Sequence, residues 1–150
     1  MNFSTSIQIN TDVSKVWAAI TDIKNAQAMI SGILDLQVLN EANDGEALVG
    51  LKWQETRKVF GKEETETMWI TDAVENEFYR TRAESHGCIY ISGMRVAQHG
   101  DGTLLTMEFH GEGVSFMAKV MDKLMGFMMK KPMLKLMDQD LMDIKGFVER

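Results

Sequence analysis

Glu55 and Arg57 are the residues of this chain best suited to orienting a polar ligand group. They continue a strand face that begins with Val49, Leu51 and Trp53, because side chains two apart on an extended chain point the same way. If that face is concave, a carboxylate and a guanidinium enter an enclosed space and pair with each other or with a guest. If it is convex, the same charges form a hydrated pair that contributes little to stability. Tyr79 and Tyr90 carry hydroxyls that could meet a ligand carbonyl or be satisfied within a core.

Other chemistry finds less support. His86 and Cys88 flank one turn without a second pair at zinc-ligand spacing, so no metal site is expected. His99 falls in a His-Gly-Asp-Gly turn. His110 would need Glu108 or Glu112 beside it to act as acid or base, and Glu108 and His110 alternate with Leu105, Met107 and Phe109, on the outward face. Cys88 reads as an inert thiol. No serine has a Gly-x-Ser-x-Gly context and no glycine loop is shaped for phosphate. No catalytic residue, metal or cofactor is assigned.

The methionines are the second signal. Eight of thirteen lie near the C-terminus: Met117, Met121, Met125, Met128, Met129, Met133, Met137 and Met142. Methionine is flexible and polarizable, and it adapts to irregular apolar shapes. Before Pro132, Phe116, Met117, Val120, Met121, Leu124, Met125, Met128 and Met129 span about 220° of a helix at 100° per residue, twice the stripe of a surface helix. That breadth predicts cover on more than one side, with Met117, Met121 and Met125 walling a cavity beside Phe109, Leu51 and Trp53. A methionine-built core, or a groove for a protein partner or membrane surface, are the alternatives; Lys130-Lys131 would suit the last. After Pro132, Leu134, Met137, Leu141, Ile144 and Val148 form a narrow packing stripe, and Pro132 predicts a kink or break near Lys131.

The remaining elements must position these groups. Phe3, Thr5, Ile7 and Ile9 alternate with polar residues as a half-buried strand. Thr11 is the expected N-cap of a helix whose buried face carries Val13, Val16, Trp17 and Ile20, and a second short helix is expected over 25–30. Strands are then predicted over 34–40, 48–60, 63–73, 78–84, 88–98 and 103–111, separated by turn residues and joined as antiparallel hairpins. A long helix begins at Ser115.

A chain of 150 residues, 45% apolar and 25% charged, fits one domain spanning residues 1–150. Its net charge of −6 argues against nucleic acid as partner. A single cysteine precludes an intrachain disulfide. The first residues show no signal-peptide pattern and no stretch is apolar enough for stable membrane insertion, so a cytoplasmic monomer or homodimer is expected.

Val13-Ser14-Lys15-Val16-Trp17-Ala18-Ala19-Ile20-Thr21-Asp22 resembles the opening helix of the SRPBCC superfamily, also called START-like or birch-pollen-allergen-like proteins. Val49-Gly50 leading to Trp53 and on through Arg57-Lys58-Val59-Phe60-Gly61 resembles strands of its polyketide cyclase/dehydrase and lipid-transport branch. Asn76 departs from the proline many members carry in that turn. The resemblance covers essentially the whole chain. It implies an α+β helix-grip fold: a curved seven-stranded antiparallel sheet wrapped around a long C-terminal helix, with two short helices after the first strand. It also implies an apolar small-molecule ligand (lipid, quinone or polyketide-like) between sheet and helix. A cyclase or dehydratase activity, or a protein-binding module using the methionine-rich helix, are the competing functions.

Overall fold

The computed structural model of the protein describes residues 1–150. β1 (Asn2–Ile9) leads into α1 (Val13–Thr21), a 3₁₀ turn (Ile23–Asn25) and α2 (Ala26–Met29). Six strands follow: β2 (Ile33–Asn40), β3 (Lys52–Val59), β4 (Lys62–Val74), β5 (Phe78–Ser85), β6 (Cys88–His99) and β7 (Gly102–Gly113). α3 (Phe116–Val148) completes the chain. The strands form one antiparallel sheet in the order β1-β7-β6-β5-β4-β3-β2. This is the α+β helix-grip fold that the resemblance implies.

Local chemistry explains most boundaries. Phe60-Gly61 and His86-Gly87 make two-residue turns with positive φ at both positions, the geometry that matches the twist of the flanking strands. Asn76 sits in the β4–β5 turn at φ 61°, which asparagine tolerates and which the ring of a proline forbids. Gly50 has φ 93°, and a Cβ there would overlap the Asn43 side chain, so only glycine lets the loop before β3 close. The helix cap is Asp12, one residue later than expected: its carboxylate accepts from the Lys15 amide at 2.9 Å. Thr11 instead offers its carbonyl to the buried Thr103 hydroxyl at 2.8 Å. Bulges in β2 and in β4 between Ile70 and Asp72 add local bend and twist to the sheet.

The core lies where sheet, α1 and the second half of α3 meet. Ile9, Val16, Ile70, Leu105, Leu141 and Ile144 are essentially free of solvent. α3 rests on β1 and β7 at one edge of the sheet and touches α1 and α2. It runs through Pro132 as one helix, so of the kink or break expected near Lys131 the break does not occur. The hydrogen bond lost there is the one Met128 would have accepted, and that residue is 70% exposed, so water can satisfy its carbonyl.

The two halves of α3 turn much the same side inward but fill it differently. Beyond Pro132 the inward face carries Met137, Asp140, Leu141 and Ile144, all buried. Before it, Ala118, Asp122, Gly126 and Met129 turn inward, and the large apolar residues turn out. A Cβ on Gly113 would overlap the Ala118 backbone, and one on Gly126 would sit 3.1 Å from the Met1 side chain. Small residues thus let this half of the helix lie close to the sheet edge.

Leu141→Ala should cost about 2–5 kcal/mol, because the cavity it leaves cannot collapse. Met128→Ala should change stability by no more than about 0.5 kcal/mol. Urea unfolding of the two variants checks the contrast.

Candidate ligand cavity

A cavity of about 300 Å³ lies between the sheet and the second half of α3, closed at one end by α1 and α2. Eighteen of its twenty-five lining residues are hydrophobic. The sheet supplies Trp53, Met68, Met94, Met107 and Phe109, and α3 supplies Met133, Leu136, Met137 and Ile144. Ile20, Ile23, Met29 and Ile30 close the end.

The face that carries Trp53, Glu55 and Arg57 is the concave one. Trp53 and Glu55 are buried, and Arg57 lines the cavity with them. The Arg57 Nε donates to Glu55 Oε1 at 3.1 Å, and Nη1 donates to both carboxylate oxygens of Asp140 at 3.1 and 2.9 Å. The guanidinium thus ties β3 to α3 through Asp140, with Glu55 of its own strand as second partner, inside a largely apolar space. Burial opposes the charge on Arg57, but Glu55 and Asp140 outweigh it and hold the guanidinium above its ordinary range. Burial pushes the Asp140 carboxyl up; Arg57 pulls against that rise and Glu55 adds to it.

Tyr79 is also buried, and its hydroxyl donates to the Ile20 carbonyl at 3.1 Å while its ring meets Trp17 edge-on. It fastens α1 to β5, so its hydroxyl is already engaged. Tyr90 stacks on Phe109 with ring centroids 5.7 Å apart, outside the lining. Burial, then Cys88, pushes its phenol up to about 12.

Of the residues singled out from sequence, Trp53, Glu55, Arg57 and Phe109 line this cavity. Leu51 is buried in the core beside it. Met117, Met121 and Met125 are elsewhere, 72%, 52% and 40% exposed on the first half of α3. The expected division of the helix at Pro132 is therefore reversed. The wall comes from the half after the proline, where Met137 and Ile144 of the narrow stripe are joined by Met133, Leu136 and Asp140, and the broad apolar arc before it is left uncovered. Asp140 is the residue that sequence reasoning misses. Its signal is nonetheless present: it falls on the same helix face as Met137, Leu141 and Ile144, an acid in an apolar stripe.

Arg57→Ala leaves Glu55 and Asp140 without their partner. Loss of a fully buried pair costs about 3–5 kcal/mol. The Arg57 side chain is 30% exposed, so a smaller loss of about 2–3 kcal/mol is expected near neutral pH, read by urea unfolding. Asp140 itself, with its carboxyl pushed up, favours the folded state most at low pH and loses that contribution as pH rises through its titration. The stability of Asp140→Asn relative to the parent should therefore improve between about pH 4 and about pH 7. A difference that falls over that interval would contradict the raised carboxyl.

Among curated proteins, none matches the sequence. Solved structures resemble the chain along nearly its whole length. The protein TTHA0849 from Thermus thermophilus superposes with a TM-score of 0.78 at 15% identity, over 99% of this chain and 97% of its own. A START superfamily protein from Mycobacterium smegmatis gives 0.72 at 17% identity, over 99% and 97%. The Zhui aromatase/cyclase from a Streptomyces species gives 0.72 at 12% identity, over 100% and 94%. At such identities these structures speak to the fold. The family model described as polyketide cyclase/dehydrase and lipid transport matches residues 1–145. The chain therefore belongs to the polyketide cyclase/dehydrase and lipid transport family.

Proposed function

We propose that this protein binds an apolar small molecule, of the lipid, quinone or polyketide-like kind, in the cavity between sheet and α3. The observation that carries the reading is the cavity itself: a largely apolar space of about 300 Å³ whose charged lining is the Glu55, Arg57 and Asp140 cluster together with Glu108. That volume lies at the lower end of small-molecule sites, which run from about 300 to 1,000 Å³, and apolar walls with a few convergent polar groups are their usual lining. Trp53, Phe109, Met94 and Met107 would contact the ligand body. Arg57 and Glu55 would orient its polar end, since Arg57 Nη2 makes no hydrogen bond to the protein and can donate to a ligand oxygen. The proposed setting is the cytoplasm, with the protein monomeric or homodimeric and needing no cofactor. Its one cysteine is a free thiol, which suits a reducing compartment.

A cyclase or dehydratase activity is the second reading. Glu55, Arg57 and Asp140 converge at one place on the lining, where a held chain could meet both a hydrogen-bond donor and a carboxylate base. The family's description covers enzymes and transporters alike. Turnover of a poly-β-ketone thioester, lost in Arg57→Gln while the fold is retained, would select this reading.

Native mass spectrometry of protein purified from its own host should show a bound small molecule. Ser92→Trp, which places a ring in the cavity, should abolish it. Arg57→Gln should weaken a ligand with a polar end roughly 10- to 100-fold, as befits a lost hydrogen bond to a charged group. The proposal fails if the parent protein carries nothing and takes up no apolar probe that Ser92→Trp excludes.

A further inference from the structure

We infer that the first half of α3 is a docking surface for anionic lipid membranes. Phe116, Met117, Val120, Leu124, Phe127 and Met128 are between 45% and 89% exposed, and at about 100° per residue they occupy one outward side of the helix. So much contiguous apolar surface on one element marks an interaction site. The inward side of the same half, built from Ala118, Asp122 and Gly126, already lies against the sheet edge and Met1. The helix is thereby held with its apolar side facing away from the body of the protein.

Charge selects the occupant. Lys119, Lys123, Lys130 and Lys131 are exposed and make no ion pair, in a chain whose net charge is −6. The one acid of the segment, Asp122, accepts from the Met1 amino group at 3.1 Å. On the helical wheel, Lys119, Lys123 and Lys130 form a stripe along one border of the apolar side. Aromatic and aliphatic side chains beside a lysine border are the pattern of a helix lying in a membrane interface, with the lysine stems reaching up to anionic headgroups. A second copy of this chain packed antiparallel across a two-fold axis would bring the same basic border against itself. No helix of the protein is long and apolar enough to cross a membrane, so the attachment is peripheral. It does not depend on the cavity being occupied.

Co-sedimentation of the full chain with vesicles tests the assignment. Vesicles of mixed phosphatidylcholine and phosphatidylglycerol should carry the protein down at low salt, and phosphatidylcholine alone should carry far less. Leu124→Asp combined with Phe127→Asp should abolish sedimentation. Both side chains are exposed, so near-UV circular dichroism and thermal midpoint should stay at parental values. Lys119→Gln, Lys123→Gln and Lys130→Gln together should weaken binding to the anionic vesicles roughly 10- to 100-fold and flatten its salt dependence. Equal sedimentation with neutral and anionic vesicles would overturn the assignment. So would absence of sedimentation with either, including the case where light scattering finds a dimer that Phe127→Asp dissolves, because a second copy would then cover this side.

Discussion

A guanidinium held between two carboxylates bridges the side of this fold that carbon does not fill. α3 lies on β1 and β7, at one edge of the sheet, while β3 reaches it through Arg57 and Asp140. The space under that bridge is the cavity. Charges taken out of water are costly unless paired with good geometry, and such pairs are weak evidence of a stabilising role. A packed apolar contact would have joined β3 to α3 at less cost. Under the proposed function, Glu55, Arg57 and Asp140 would serve there by what they offer a guest: a free guanidinium edge and a carboxylate in a largely apolar cavity.

The rest of the architecture makes that enclosure possible. The β2 and β4 bulges bend the sheet, Gly50 lets the loop before β3 close, and Tyr79 fastens α1 over the end through the Ile20 carbonyl. Asp143 of α3 accepts from the Ser31 amide and hydroxyl at 2.9 and 2.6 Å, which fixes the turn after α2 to the helix. Burial opposes the Asp143 charge, yet these hydrogen bonds outweigh it and hold the carboxyl low. The closing elements are therefore joined to β5 and to α3 by directed hydrogen bonds as well as apolar contact. Two chemically different surfaces result along one helix: a cavity wall after Pro132 and an outward apolar side before it.

Much of this is legible residue by residue. The alternation in β1 and β7, the Phe60-Gly61 and His86-Gly87 turns, and the Val16, Trp17 and Ile20 face of α1 are local patterns whose physical cause lies within a few residues. The cap falls at Asp12, an intrinsically better N-cap than Thr11, while the Thr11 carbonyl accepts from Thr103 far along the chain. Asp140 escapes a reading by spacing because its partner lies 83 residues away. The 220° apolar arc misleads for a related reason: periodicity reports which side chains share a face and is silent about what stands opposite them.

Element order and turn positions can be read from the chain alone, because they follow from dihedral preferences and from spacings of two, three or four residues; the family is legible only as a resemblance of motifs. The inward aim of Glu55 and Arg57, the completion of their cluster by Asp140 and the bare first half of α3 cannot be read this way. Each of those depends on which way the sheet curls and where a long helix comes to rest on it. That is settled by the sum of packing over distant residues, and no local spacing records it.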